Sequence, residues 1–348
     1  MTLTELSYYS RKFAPFGLLF FLVLLILYYL IRVLLLTLVP VKPTILYINP
    51  VFGNIKKPLI KDVGPSSNLS FSIDTIEGKP VTASESAKVF FLPSANARFG
   101  YREKIYLIAK TLGFDTESVK HRLEGEEAIF KDARQTLQID ITNFNFTYEY
   151  NFENEPQIFK DAVEPLKKEA EDKTRDFLRD VGRYPEELAQ GKTNTIFISY
   201  NPEAKQMKLL DTNKDANLAE VDLYRPDQEQ YPVVSPKYFN SQNYVMLVFY
   251  KEGFKIIKAQ IKFYEKSNAQ IGVYPIKTGD LAWEALKTGN GVIIQNEANS
   301  QKIVIKKMFL GYLDPDVYQE YLQPVYVFLG ENNFVSYVPA ITDNYFTE

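Results

Sequence analysis

Few side chains in this sequence are set up for chemistry. His121 is the single histidine, so any Ser-His-Asp relay would have to use it. It lies in "SVKHRLEGEE", a polar stretch without a nucleophile elbow, and reads as a surface residue. Cysteine is absent, which removes thiol nucleophiles, thiolate metal sites and disulfides. Ser-x-x-Lys, His-Glu-x-x-His and phosphate-binding glycine loops are missing too, so no catalytic residue and no cofactor are assigned.

Oxygen ligands offer one candidate. In "DTNKDANLAEVD", Asp211, Asn213, Asp215 and Asn217 fall at loop positions 1, 3, 5 and 7, with Asp222 at position 12. That alternation can gather oxygens around a hard Ca²⁺ ion. Ala216 stands where such a loop needs glycine, however, and Asp222 is shorter than the usual bidentate Glu. A strand-like "MKLL" precedes it, so the segment reads as a polar turn between strands, with calcium as the alternative. Asp314, Asp316 and Glu320 flank Pro315 at no spacing that implies acid–base work, and read as a loop before the last hairpin. Asn68 and Asn145 head formal glycosylation sequons.

These groups must be held by elements whose signals are stronger. From Phe13 to Val41 the chain carries one charge, Arg32. Phe13–Ile31 alone would rise ~28 Å as a helix, close to a ~30 Å hydrocarbon core. No small-residue cleavage site follows, so a retained single-pass helix is expected rather than a signal peptide. Arg32, near one end, can snorkel to the headgroups. A short tail at 1–12 favours a cytoplasmic N-terminus, with the C-terminal region extracytoplasmic at the plasma membrane. Residues 42–68, broken by proline and glycine, read as an extended tether.

Aromatics at 14%, nearly all Phe and Tyr, lean the remainder towards sheet. Strands are predicted at 69–74, 87–92, 136–141, 143–152, 193–201, 205–211 and 244–264, the last split at Glu252-Gly253. Amphipathic helices are predicted at 100–112 and across 156–190, with Pro165 breaking the second, and at 278–288. Gly113 and Gly289 can end the outer two, and Thr278 can cap the third. The fold class is therefore α+β: a transmembrane helix followed by repeated units of one helix and an antiparallel meander. The units are placed at 69–155, 156–265 and 266–348. In the closing hairpin, Val325, Val327 and Leu329 share one face and Tyr326 and Phe328 the other, by strand alternation. One face is expected beneath the "LAWEAL" helix, with the aromatic set finding cover elsewhere.

The last seventy residues resemble the C-terminal end of the YycH/YycI regulators and related PepSY-like domains. The resemblance is carried by Ala282, Trp283 and Leu286 of the helix, by Leu310-Gly311-Tyr312, and by Leu322, Pro324, Val325 and Tyr326. Tyr337–Ile341 falls where that family often has a Val-x-Ala ending. Tyr326 replaces the family's usual Trp. The resemblance implies a bitopic protein whose extracytoplasmic α+β domain binds and tunes a sensor kinase or another envelope protein, without catalysis. The alternatives are an envelope hydrolase or transferase using carboxylates in a cleft, or a component of a surface assembly. Expected partners are the membrane and another membrane or envelope protein. A net charge of −3 without basic clusters argues against nucleic acid, and a small-molecule ligand stays open.

Overall fold

A computed structural model describes residues 3–38, 47–61, 69–97, 99–297 and 301–347; in the first stretch it describes the side chains of Ala14 and Phe16–Arg32. The chain divides into two compact units, Met1–Ile45 and Leu46–Glu348.

The first unit is one helix, α1 (Leu3–Leu38), which takes in most of the expected 1–12 tail. Its described large apolar side chains, Phe16 to Ile31, are 41–67% exposed. Among the described residues no helix is long and apolar enough to cross a membrane. The side chains of Phe13 and of residues 33–38, and residues 39–41 altogether, lie outside the described set.

The second unit opens with β1 (Ser70–Ile73), β2 (Ser86–Phe91), α2 (Tyr101–Thr111) and four strands, β3 (Arg122–Glu124), β4 (Glu127–Lys131), β5 (Gln135–Asp140) and β6 (Phe146–Tyr150). Then come α3 (Lys167–Asp180), α4 (Glu186–Ala189), β7 (Thr193–Asn201), β8 (Gln206–Leu210), β9 (Leu218–Leu223) and β10 (Val233–Val234). The remainder is β11 (Tyr244–Tyr250), β12 (Gly253–Ile261), β13 (Ile271–Pro275), α5 (Gly279–Lys287), β14 (Val292–Gln295), β15 (Lys302–Leu313), β16 (Tyr321–Gly330) and β17 (Val335–Pro339). This is a mixed α+β architecture, mostly sheet with few helices.

One sheet has nine strands in the order β3-β4-β5-β6-β12-β11-β9-β7-β8. The two helix-plus-meander segments expected at 69–155 and 156–265 share this sheet, joined where β12 pairs β6 antiparallel. Helix α2 buries Ile105, Ile108 and Ala109 and ends at Gly113, whose φ of 87° suits a residue without Cβ. Pro165 delays α3 to Lys167; its buried stripe is Ala170, Thr174, Phe177 and Leu178, at helical spacing. The hairpin β3–β4 and strand β9 were not expected. Their sequences, "HRLEGEEAIFK" and "LAEVDL", carry enough charge to read as loops, yet Ala128, Phe130, Ala219 and Val221 are buried.

The other sheet has eight strands. Its main path is β1-β15-β16-β17-β14, with β10 on β15, β2 on β16 and β13 on β2. Strand β1 runs parallel to β15, Ser70 opposite Lys302. Residues 69–91 therefore belong with the C-terminal sheet, which corrects the expected 69–155 boundary; parallel pairing over that sequence distance leaves no local signal. The tether assigned to 42–68 is corrected for its described part, 47–61. Asn49 bridges Val273, and Ile55, 2% exposed, bridges Phe346 and joins Tyr274 and Ile341 in a buried cluster.

Helix α5, capped by Thr278 Oγ1 accepting from Leu281 N–H at 3.3 Å, buries Ala282 and Leu286. These pack with Tyr326, Phe328, Phe334 and Val338, and the Trp283 and Phe328 rings are 6.2 Å apart. The alternation holds, but the aromatic face is the one under the helix. The opposite face, Val325, Val327, Val335 and Tyr337, is closed by Val234, Leu313 and Ile294.

Arg225 ties the sheets together. It leaves the end of β9, and its side chain is fully buried. Nε donates to Asp314 Oδ1 at 3.0 Å, Nη1 to Glu187 Oε2 at 2.8 Å and Nη2 to the Tyr264 carbonyl at 2.6 Å. Its guanidinium also stacks 4.1 Å from the Phe263 ring centroid. Asp314, in the expected loop between β15 and β16, is thus a buried partner of this arginine.

Candidate binding groove

Helices α2 and α3 lie on the nine-stranded sheet some strands apart. Tyr106 of α2 packs edge-on against Phe130 of β4, whereas Glu171 of α3 accepts from the Thr195 hydroxyl of β7. Between them β6 and β12 form the floor of a cleft of about 980 Å³. That is the upper end of the range for small-ligand pockets. Tyr148, Tyr150 and Lys255 lie on the floor; Asp115 and Asp132 stand at one wall, Asp176 and Asp180 at the other.

The floor is tightly organised. Tyr148 donates to Gln135 Oε1 at 2.7 Å, and burial raises its phenol above the ordinary value. Tyr150 donates to Glu155; burial, then that carboxylate, pushes its pKa up to about 12. Lys255 Nζ sits 3.5 Å from the Tyr150 ring centroid, and burial lowers its pKa. Arg134 pairs with Glu155 at 3.1 Å, and Lys173 lies over the Phe254 ring. Of these cations only Lys255 lies on the floor; Arg134 and Lys173 stand at the walls beside the aspartates. Asp132 is spent in its turn, accepting from Arg134 and Gln135 backbone N–H groups at 2.7 and 3.0 Å. Asp176 lies 3.8 Å from Arg179, a pair too exposed to hold it. Asp180 has no ion-pair partner among the described residues.

The carboxylates with raised pKa values are elsewhere. Glu220 and Asp222 alternate along β9 with Ala219 and Val221, which face the helices, so the acidic pair occupies the other sheet face. Burial and then Asp222 push Glu220 up to about 7, with Lys258 and Lys237 opposing. Burial raises Asp222 to about 6, although it accepts from Tyr224 OH at 3.0 Å. Its Oδ1 has no hydrogen-bond partner among the described residues. Nothing in "AEVD" announces this: the shift comes from burial, which alternation alone does not reveal.

The other residues singled out from the sequence do not converge. Asn217 brackets the β7 backbone, accepting from Tyr200 N–H and donating to its carbonyl, both at 2.8 Å. Asp215, at φ 64°, donates its N–H to Glu164 Oε1. Residues 211–216 run as bends and a turn between β8 and β9, and Asp222 is hydrogen-bonded on β9. Among the described residues no group of three or more acidic or histidine side chains is placed to hold a metal. His121 Nδ1 lies 3.2 Å from Tyr106 OH, and burial lowers its pKa. Asn145 is 4% exposed, with its Oδ1 accepting from Phe263 N–H, so its sequon is not presented to solvent. Asn68 lies outside the described residues. Arg32 is exposed on α1.

No known protein family matches the chain, and no curated protein does. Solved structures give distant likenesses. An uncharacterized protein from Eubacterium rectale is 13% identical at a TM-score of 0.36, over 78% of this chain and 87% of that one. The Bacillus megaterium YpeB C-terminal domain is 11% identical at 0.29, over 72% of this chain and 96% of that domain.

Proposed function

We propose that the protein is a membrane-anchored, extracytoplasmic interaction protein, and that the cleft between α2 and α3 receives an extended segment of another envelope protein. The PepSY-like resemblance of the last seventy residues and the apolar run around α1 support the anchor and its orientation. A sensor kinase is the partner class that this resemblance implies. The observation that carries the binding role is the separation of cleft from acid pair. The large cleft has an aromatic floor and walls that carry both aspartates and basic residues, while the carboxylates tuned by burial lie across the sheet. Its occupant is a segment with apolar and basic side chains: rings of the floor would cover the first, Asp176 and Asp180 would meet the second.

A photoreactive residue at Phe254, which is 38% exposed at the cleft, tests this in membranes holding the full chain. Irradiation should join the protein to a membrane protein, and Asp176→Asn with Asp180→Asn should weaken the product several-fold. Failure to capture a membrane protein, or capture indifferent to both substitutions, would overturn the assignment.

A further inference from the structure

A second cavity, about 720 Å³, opens at the far end of α3, where residues 93–97 pass the β5–β6 turn and the exit of β12. Arg183 lines it and is 8% exposed. Its Nη2 donates to Asn145 Oδ1 at 2.5 Å and to the Phe263 carbonyl at 3.1 Å, both neutral acceptors. Nε is buried without a partner. Among the described residues no carboxylate lies within ion-pair reach of this guanidinium. An arginine held in low dielectric by neutral groups alone is costly, because most of its charge is uncompensated.

A second cation makes the excess larger. Lys104 Nζ donates to the carbonyl of Gly182, the residue before Arg183, at 3.4 Å. It too lacks an ion-pair partner among the described residues, and burial and then Arg183 lower its pKa. Two acids lie in the wider surroundings. Asp140 is engaged by Thr142 N–H and hydroxyl and by Asn143 Nδ2. Glu265 stands exposed at the cavity rim. Lys266, also lining the cavity, is 3.8 Å from Glu187 and so already answered.

We propose that this cavity binds a small oxyanion, with Arg183 as its hydrogen-bond donor and Lys104 adding charge beside it. The shared chemistry fits a free phosphate or the carboxylate of a small organic acid. The site is separate from the cleft between α2 and α3, and its occupancy does not depend on what that cleft receives.

The test is titration calorimetry of the full chain in detergent, with inorganic phosphate and acetate as separate probes against chloride at matched ionic strength. One probe should bind saturably, and which one identifies the source of the oxyanion. Arg183→Gln should abolish binding, and Lys104→Gln should weaken it several-fold, because it removes a charge near Arg183 that lies outside the cavity lining. Glu265→Gln should tighten it by removing a competing carboxylate. Should Arg183→Gln fail to fold, the more exposed Lys104 and Glu265 variants carry the test. Heats no different from chloride with both probes, or affinity unmoved in the Lys104 and Glu265 variants, would overturn the site.

Discussion

Glu220 shows how burial tunes a single group. Its neighbours are Asp222 on its own strand, Tyr244 and Met246 across on β11, and Lys258 and Lys237 at greater reach. Between the ordinary value of 4.5 and about 7, the native protein binds this proton more tightly than the unfolded chain does. Stability therefore falls as pH rises through that window, and the full cost is present above it. Glu220→Gln should stabilise the protein by roughly 3 kcal/mol at pH 8, from the size of the shift, and change little at pH 4. Urea denaturation at the two pH values measures both; equal gains at both would mean that the carboxylate is not the titrating group. Asn217 makes the opposite case. Asn217→Ala leaves Tyr200 N–H and carbonyl without their partners and should cost ~1–3 kcal/mol, read from the same denaturation midpoints, whether or not calcium is added.

Among the elements, the Arg225 junction and strand β16 hold the second unit. Arg225→Met keeps much of the volume but leaves Asp314 buried and unpaired, which should cost about 3–5 kcal/mol. If Arg225→Met with Asp314→Leu recovers most of that loss in denaturant unfolding, the penalty belongs to the stranded charge; no recovery would place it in packing against Phe263. Strand β16 pairs β15, β17 and β2. Removing residues 321–348 takes away this central strand together with β17 and exposes Ala282 and Leu286 of α5. The expected result is loss of the cooperative thermal transition of the eight-stranded sheet, and an unchanged midpoint would show the hairpin to be peripheral.

At the scale of the whole molecule, the proposed arrangement places residues 47–347 outside the cytoplasm. Protease added to intact spheroplasts should then degrade the C-terminal region and leave a short fragment containing α1. Full protection of the C-terminal region would reverse the orientation. Residues 47–61, packed by Ile55 against Phe346 and Tyr274, should resist cleavage until the eight-stranded sheet opens, which a free tether would not do.

Local periodicity settled much of this protein. The strand Thr193–Asn201 matches its predicted bounds, Pro165 sets the start of α3 at Lys167, Thr278 caps α5, and Val325 and Tyr326 face opposite ways. Each rests on contacts or dihedral limits within a few residues, which is where sequence pattern has force. Pairing between distant segments had no such signal. Only the tertiary structure joined two meanders through β6 and β12, laid β1 along β15, and turned the aromatic face of β16 under α5. The cleft and the Arg183 cavity arise from those same long-range placements. Their chemistry depends on which groups lose water, and burial is a property of the assembled sheets, not of any stretch of chain.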